Sequence, residues 1–240
     1  MLPVILGGMH MNVCKKIFVV LVAFSGFLGA ARADELQNRC DEIYRKNPPE
    51  VNISYNYGKL KFDNSKSTKE LDELYNEINP GENAKNIHGL THLSPQEITV
   101  VTTNSQMISA DKLCFYPEKI EINIWYDPII FVAKSLKIGS CRFNVTLRHE
   151  QTHLDLGHHA LYLFAKSLKG AVPHILSQVS PIVEDMKTAD ASKITQNMTE
   201  SYQRLVKMYF EKFKNWQQKY NGMMDTPENY VAESKLCPTD

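Results

Sequence analysis

The chain predicts an α+β fold on three observations. Its first half is rich in β-branched and aromatic runs punctuated by Gly, Pro, Asn and Ser. Its second half places apolar residues at three- and four-residue intervals. The change from one pattern to the other happens once, near Cys141, so strands and helices do not alternate along the chain. The expected architecture is a small mixed or antiparallel N-terminal sheet packed on the first long helix, with further helices after it.

Residues 1–33 read as a targeting segment. Lys15 and Lys16 are its positive region, Ile17 to Ala30 its apolar region, and Ala31-Arg32-Ala33 a small-x-small cleavage site, with cleavage expected after Ala33. Such a chain is exported, to the periplasm or the exterior. The apolar run is shorter than the ~20 residues of a bilayer span, and no second long run follows, so the mature protein is not expected to span a membrane. The remainder, 34–240, is read as one domain, strand-rich over 34–139 and helical over 140–240. Removing Lys15, Lys16 and Arg32 from 27 basic residues leaves 24 against 27 acidic ones. That balance excludes nucleic acid as an expected partner.

Taken in order, Val51 to Phe62 and Glu97 to Thr103 are strand candidates, and Lys66 to Asn79 is a short helix stopped by Pro80-Gly81. In "EKIEINIWY", Ile120, Ile122 and Ile124 alternate with Lys119, Glu121 and Asn123, which predicts a strand with one buried and one wet face. A further short strand is expected over Ile129 to Ala133, beyond Asp127-Pro128. Helices are expected over Cys141 to Lys169, stopped by Gly170 and Pro173, over His174 to Met186, and over Ile194 to Tyr220. In the last, Met198, Tyr202, Leu205, Tyr209, Phe213, Trp216 and Tyr220 form a stripe read as a core face.

The first long helix carries the chemistry. His149-Glu150-x-x-His153 is the H-E-x-x-H pattern; residues four apart on a helix share a face, so both imidazoles can hold one Zn²⁺. Zinc lowers the pKa of a bound water toward ~7, and Glu150 is placed to act on that water as general base and to pass its proton to a leaving amine. The pattern therefore points to hydrolysis of a peptide or protein substrate. The alternative from another class is a non-catalytic envelope or secreted binding protein that uses zinc as a structural staple.

"SCRFNVTLRHEQTHLDL", preceded by "INIWYDPIIFVA" and followed by "MMDTPENYVAESKLC", resembles the bacterial predicted secreted zinc-dependent proteases, a zincin-like group. In that group a strand, a cysteine and an H-E-x-x-H helix follow in the same order. The resemblance covers Cys114 to Cys237, and it implies a zincin-like domain and a zinc metallopeptidase.

A catalytic zinc takes three protein ligands, which leaves one to find. His159 lies ten residues after His149, as in the metzincin pattern, but Leu156 stands where that pattern needs its turning glycine and Gly157 is one residue late. On an unbroken helix His158 and His159 leave the face of the pair. A downstream carboxylate is the better candidate. Asp225 comes first, after the helix stop at Tyr220-Asn221-Gly222; Glu228 is next, with Glu184 and Glu200 behind it. Asp225 also fits an ordinary helix N-cap, because Glu228 stands three residues on. Tyr230 is a candidate oxyanion donor. His88 and His92, four apart in "HGLTH", are read as loop residues and not as a second site.

Four cysteines remain once Cys14 leaves with the targeting segment. An even count in an oxidising compartment implies two disulfides, expected as Cys114–Cys141 and Cys40–Cys237. The first would close a loop of 27 residues and contribute on the order of 3 kcal/mol. If Ile120 to Tyr126 is an edge strand, an extended peptide can add to it.

Overall fold

The computed structural model describes residues 32–81 and 83–237, and the proposed targeting segment lies outside it except for Arg32 and Ala33. Among the described residues the fold is α+β, with a five-stranded mixed sheet and five helices. The chain divides into two compact units, taken here separately.

The larger unit comprises Pro49–Thr102, Lys119–Val179 and Thr195–Asp240. It contains β1 (Glu50–Asn56), β2 (Lys61–Asp63) and α2 (Thr68–Ile78), the greater parts of β3 (Gly89–Met107) and β4 (Lys112–Val132), then α3 (Cys141–Ser177), α4 (Ala191–Gly222) and α5 (Pro227–Ser234). Strand β4 is the spine. β1 runs parallel to it, from Glu50 opposite Lys119 to Asn56 opposite Trp125, and β2 continues the pairing at Ile129 to Phe131. Gly58 joins β1 to β2 at φ +70°, and a Cβ there would overlap the Tyr126 carbonyl oxygen, so only glycine lets the two strands follow one path. β3 also pairs with β4, and the Ala133 amide closes its near end on the His88 carbonyl at 2.8 Å.

Ile120, Ile122, Ile124 and Tyr126 are buried and the residues between them are not, as their alternation predicts. They pack against Leu161, Phe164 and Leu168 of α3 and Tyr202, Val206 and Phe213 of α4. This segment is not an edge, because β1 flanks it and β3 forms a hairpin with it; among the described strands β3, like β1, pairs with β4 alone. Ile129 to Val132 continues β4 through Pro128 without a break. In α2, Ser67 accepts from the Glu70 amide while Glu70 returns a bond to the Ser67 amide, a reciprocal cap that fixes its start.

Two helix expectations change. α3 does not stop at Gly170 but runs through it and Pro173 to Ser177. Leu168 and Ile175 are buried on either side of those residues and Ala171 packs on the same core, so burial outweighs two local stop signals. The helix expected over His174 to Met186 is therefore the end of α3 followed by a strand, β5 (Ile182–Asp185). On α4 the buried stripe drifts from Tyr209 and Trp216 to Val206, Phe210 and Gln217, leaving Trp216 and Tyr220 exposed, their rings tilted against each other with centroids 4.2 Å apart.

The smaller unit contains the helix α1, described over 32–46, the tip of the β3–β4 hairpin and β5 (Ile182–Asp185). β5 lies antiparallel to Lys112–Phe115, with Cys114 opposite Val183. Cys40, Ile108, Cys114 and Tyr116 form its core.

The disulfides are Cys40–Cys114 and Cys141–Cys237, so both expected pairings are corrected. The expected Cys114–Cys141 loop requires the chain to fold back between them. Instead the chain from Cys114 to Val132 is continuous strand, a rise of about 60 Å. Among the described residues no helix is long and apolar enough to cross a membrane. The two disulfides fit an oxidising compartment.

The packing assigns Leu161, fully buried between sheet and α4, a central role. Leu161→Ala should lower the free energy of unfolding by about 2–5 kcal/mol with an unchanged denaturant slope. A loss below 1 kcal/mol in urea titrations would contradict this core.

Candidate metal centre

Ser140 caps α3 by accepting from the Phe143 amide at 3.2 Å, which sets the phase of the helix over the motif. Two turns on, His149, Glu150 and His153 are all about 5 % exposed, an unusual burial for three ionisable residues on one helix. The two imidazoles meet at 3.1 Å between their Nε2 atoms.

The third corner of the site is Asp225, in the short turn between α4 and α5. Its Oδ1 lies 3.1 Å from His149 Nε2 and 3.1 Å from His153 Nε2. Three mutual contacts of this length form a near-equilateral triangle, whose corners are about 1.8 Å from its centre. A cation slightly off that plane meets all three atoms at the ~2.0–2.1 Å typical of zinc with imidazole nitrogen or carboxylate oxygen. Protons cannot satisfy the same figure, since each Nε2 carries at most one and the three directions are 60° apart. Among the described residues this is the group of His, Cys, Asp and Glu side chains that could hold a metal, so the donor set fits the ion the motif implies.

Asp225 is free for this because it is not the cap of α5. Thr226 is, accepting from the Asn229 amide at 3.2 Å. Glu228, the second candidate, is exposed in the first turn of α5. Glu184 lies on β5, and Glu200 accepts from Gln196 on exposed α4. His158 and His159 are not brought to the site. α3 continues unbroken through Gly157, where a Cβ would overlap Leu93 Cδ1; this glycine serves close contact between helix and β3, not a bend. His158 stacks on Tyr57 at 4.3 Å, and His159 is exposed. His92 lies within β3 and His88 just before it, so four residues of strand separate them by ~13 Å, too far to share an ion.

Further residues support the centre. Glu233 Oε1 is 2.7 Å from His149 Nδ1, so that nitrogen can donate to the carboxylate and turn the Nε2 lone pair toward Asp225 and His153. Tyr230 donates to Asp225 Oδ1 at 2.8 Å, and its ring stacks on His149 at 5.4 Å. Its single phenolic proton is thereby engaged, which removes it from the oxyanion role expected of it. Thr91 on β3 places its hydroxyl 2.8 Å from both Glu150 Oε2 and the Glu150 carbonyl. A Cβ at Gly89 would overlap Glu150 Oε1, so β3 reaches the carboxylate only because that residue has no side chain. Sequence reasoning missed Glu233, Thr91 and Gly89. Glu233 had one local signal, its three-residue spacing from Tyr230, which puts both on one face of α5.

The electrostatics follow the geometry. Burial pushes Glu150 up to about 6, against the pull of His153, the Thr91 hydroxyl and His149. The hydrogen bond to Asp225 pushes His149 up to about 9, although burial opposes its charge. Burial resists ionisation of Asp225, but bonds from His149, His153 and Tyr230 together outweigh it and hold the carboxyl well below its usual range. Burial, then the Asp225 charge, raises Tyr230. The cluster opens on a cleft of about 1460 Å³, lined by His88, by β3 from Gly89 to Glu97 and by α4 residues including Phe210 and Gln217.

The chain matches no known family model, no curated protein and no solved structure.

The raised Glu150 has a measurable consequence. Its folded value of about 6 exceeds the unfolded 4.5, so its carboxylate costs the fold nothing below pH 4.5 and about 2 kcal/mol above pH 6. In chelator-treated protein, Glu150→Gln should therefore match the wild type in stability at pH 4 and exceed it by about 2 kcal/mol at pH 8. Equal stabilities at both pH values in denaturant titrations would contradict the burial of this charge.

Proposed function

We propose that the protein is an exported zinc metallopeptidase of the zincin-like kind its sequence resembles. The observation that carries this reading is the triangle of His149 Nε2, His153 Nε2 and Asp225 Oδ1 beside a buried Glu150 at the floor of a cleft. Three protein donors among the described residues, rather than four, favour a catalytic over a purely structural ion.

When bound, zinc supplies a Lewis acid that acidifies water and polarises the scissile carbonyl. The chain's own residues supply the rest. Glu150, raised by burial toward neutrality and held by the Thr91 hydroxyl, takes the proton of the attacking water and returns it to the leaving amine. Glu233 keeps the His149 proton on Nδ1, away from the donor triangle. Tyr230 donates to the Asp225 carboxylate and restrains its rotation. An extended substrate adds its backbone to β3 between Gly89 and Glu97, which lines the cleft and has β4 as its one strand partner among the described residues.

The mature protein should carry one zinc and cleave peptides. Glu150→Gln should retain the zinc and lose hydrolysis by at least about a hundredfold, and Asp225→Ala should lower zinc affinity sharply. Wild-type protein that holds zinc yet cleaves nothing in a broad peptide library would favour the structural-staple reading instead. Unchanged affinity in Asp225→Ala would remove Asp225 from the ligand set.

A further inference from the structure

We propose that the Cys141–Cys237 disulfide is a reducible clamp on the metal centre: a dithiol that opens it releases the segment carrying Asp225 and Glu233, and zinc affinity falls. This rests on the reading of His149, His153 and Asp225 as metal ligands.

Four observations converge on it. First, the centre is built from two pieces of chain, with the histidines on α3 and Asp225, Tyr230 and Glu233 on the stretch after Gly222. Second, that stretch has little apolar anchorage. α5 buries no residue, and Tyr230, Val231 and Leu236 are each at least half exposed. At about 25 cal/mol per Å² of apolar surface removed from water, such a helix gains little from packing. Third, the disulfide joins the first residue of α3 to the residue three positions past the end of α5, and so tethers the segment to the helix that holds both histidines. Fourth, the two disulfides differ in access: Cys40 and Cys114 are both fully buried, whereas the second bridge pairs buried Cys237 with exposed Cys141.

The chemistry balances as dithiol exchange. A thiolate of the dithiol attacks the exposed Cys141 Sγ; the Sγ–Sγ bond breaks, and Cys237 leaves as thiolate and takes a proton from water. The second thiol of the dithiol then displaces Cys141 from the mixed disulfide. Two electrons reach the protein and the dithiol becomes a disulfide. Cys141 departs at the first position of a 37-residue helix, where the amide dipoles favour a thiolate, so the reduced form is stabilised. By linkage, metal and disulfide reinforce each other: whatever factor reduction takes from zinc affinity, zinc takes from the dithiol equilibrium.

The test uses the full mature chain and zinc itself, with affinity read by chelator competition. Limited treatment with dithiothreitol, with alkylation and mass spectrometry showing Cys40–Cys114 intact, should weaken zinc binding about 10- to 100-fold, the range for losing partners of metal ligands. Cys141→Ser/Cys237→Ser should do the same while far-UV circular dichroism stays unchanged. Should that variant misfold, the selectively reduced wild type decides alone. Saturating zinc should shift the Cys141–Cys237 reduction equilibrium by the same factor, about 30–60 mV. Stoichiometric zinc of equal affinity in oxidised and reduced protein would overturn the clamp and leave the metal centre standing. Absence of zinc binding by the oxidised wild type would overturn the metal centre, and the clamp with it.

Discussion

Everything around the motif answers one electrostatic demand: His149, Glu150, His153 and Asp225 bring ionisable groups together where water is largely excluded. A charge in such a place costs several kcal/mol unless it is paired or hydrogen-bonded. The pairing comes from three elements. β3 sends the Thr91 hydroxyl to Glu150, the α4–α5 turn sends Asp225 to both histidines, and α5 sends Glu233 to His149 and Tyr230 to Asp225. All but the Tyr230–Asp225 bond are polar contacts between segments far apart in the chain. A cation at the donor triangle completes the same balance.

That demand requires a straight α3. The motif occupies its early turns, and its later turns carry Leu161, Phe164 and Leu168 into the core against β4 and α4. A bend at Gly157 would have swung His158 and His159 toward the site. It would also have parted the helix from β3, which approaches so closely there that a Cβ would overlap Leu93. The site thus sits on a rigid element at one end of a packed layer, the arrangement that holds catalytic geometry within fractions of an ångström.

The site joins regions of very different local stability. The α3 side is locked by core packing, while the segment after Gly222 is held by hydrogen bonds, a ring stack and a disulfide. Segments held in this way open at lower free energy than a core does. The buried carboxylate of Glu150 adds a cost that the fold bears for the sake of chemistry, since a neutral residue of its shape would pack there at less expense.

Much of this was legible in the residues. Helical periodicity is local, so the shared face of His149 and His153 and the departure of His158 and His159 from it followed from numbering alone. The alternation through Ile120, Ile122 and Ile124 is local in the same sense. Asp225 could be singled out but not separated from an N-cap, because that choice depended on whether Thr226 or Asp225 turned toward the α5 amides. Only the tertiary structure decided the disulfide partners, the strand at Ile182–Asp185, the passage of α3 through Gly170 and Pro173, and the parts played by Glu233, Thr91 and Gly89. Each of these is set by burial or by contact between residues distant in the chain, and spacing along a sequence carries no record of such contacts.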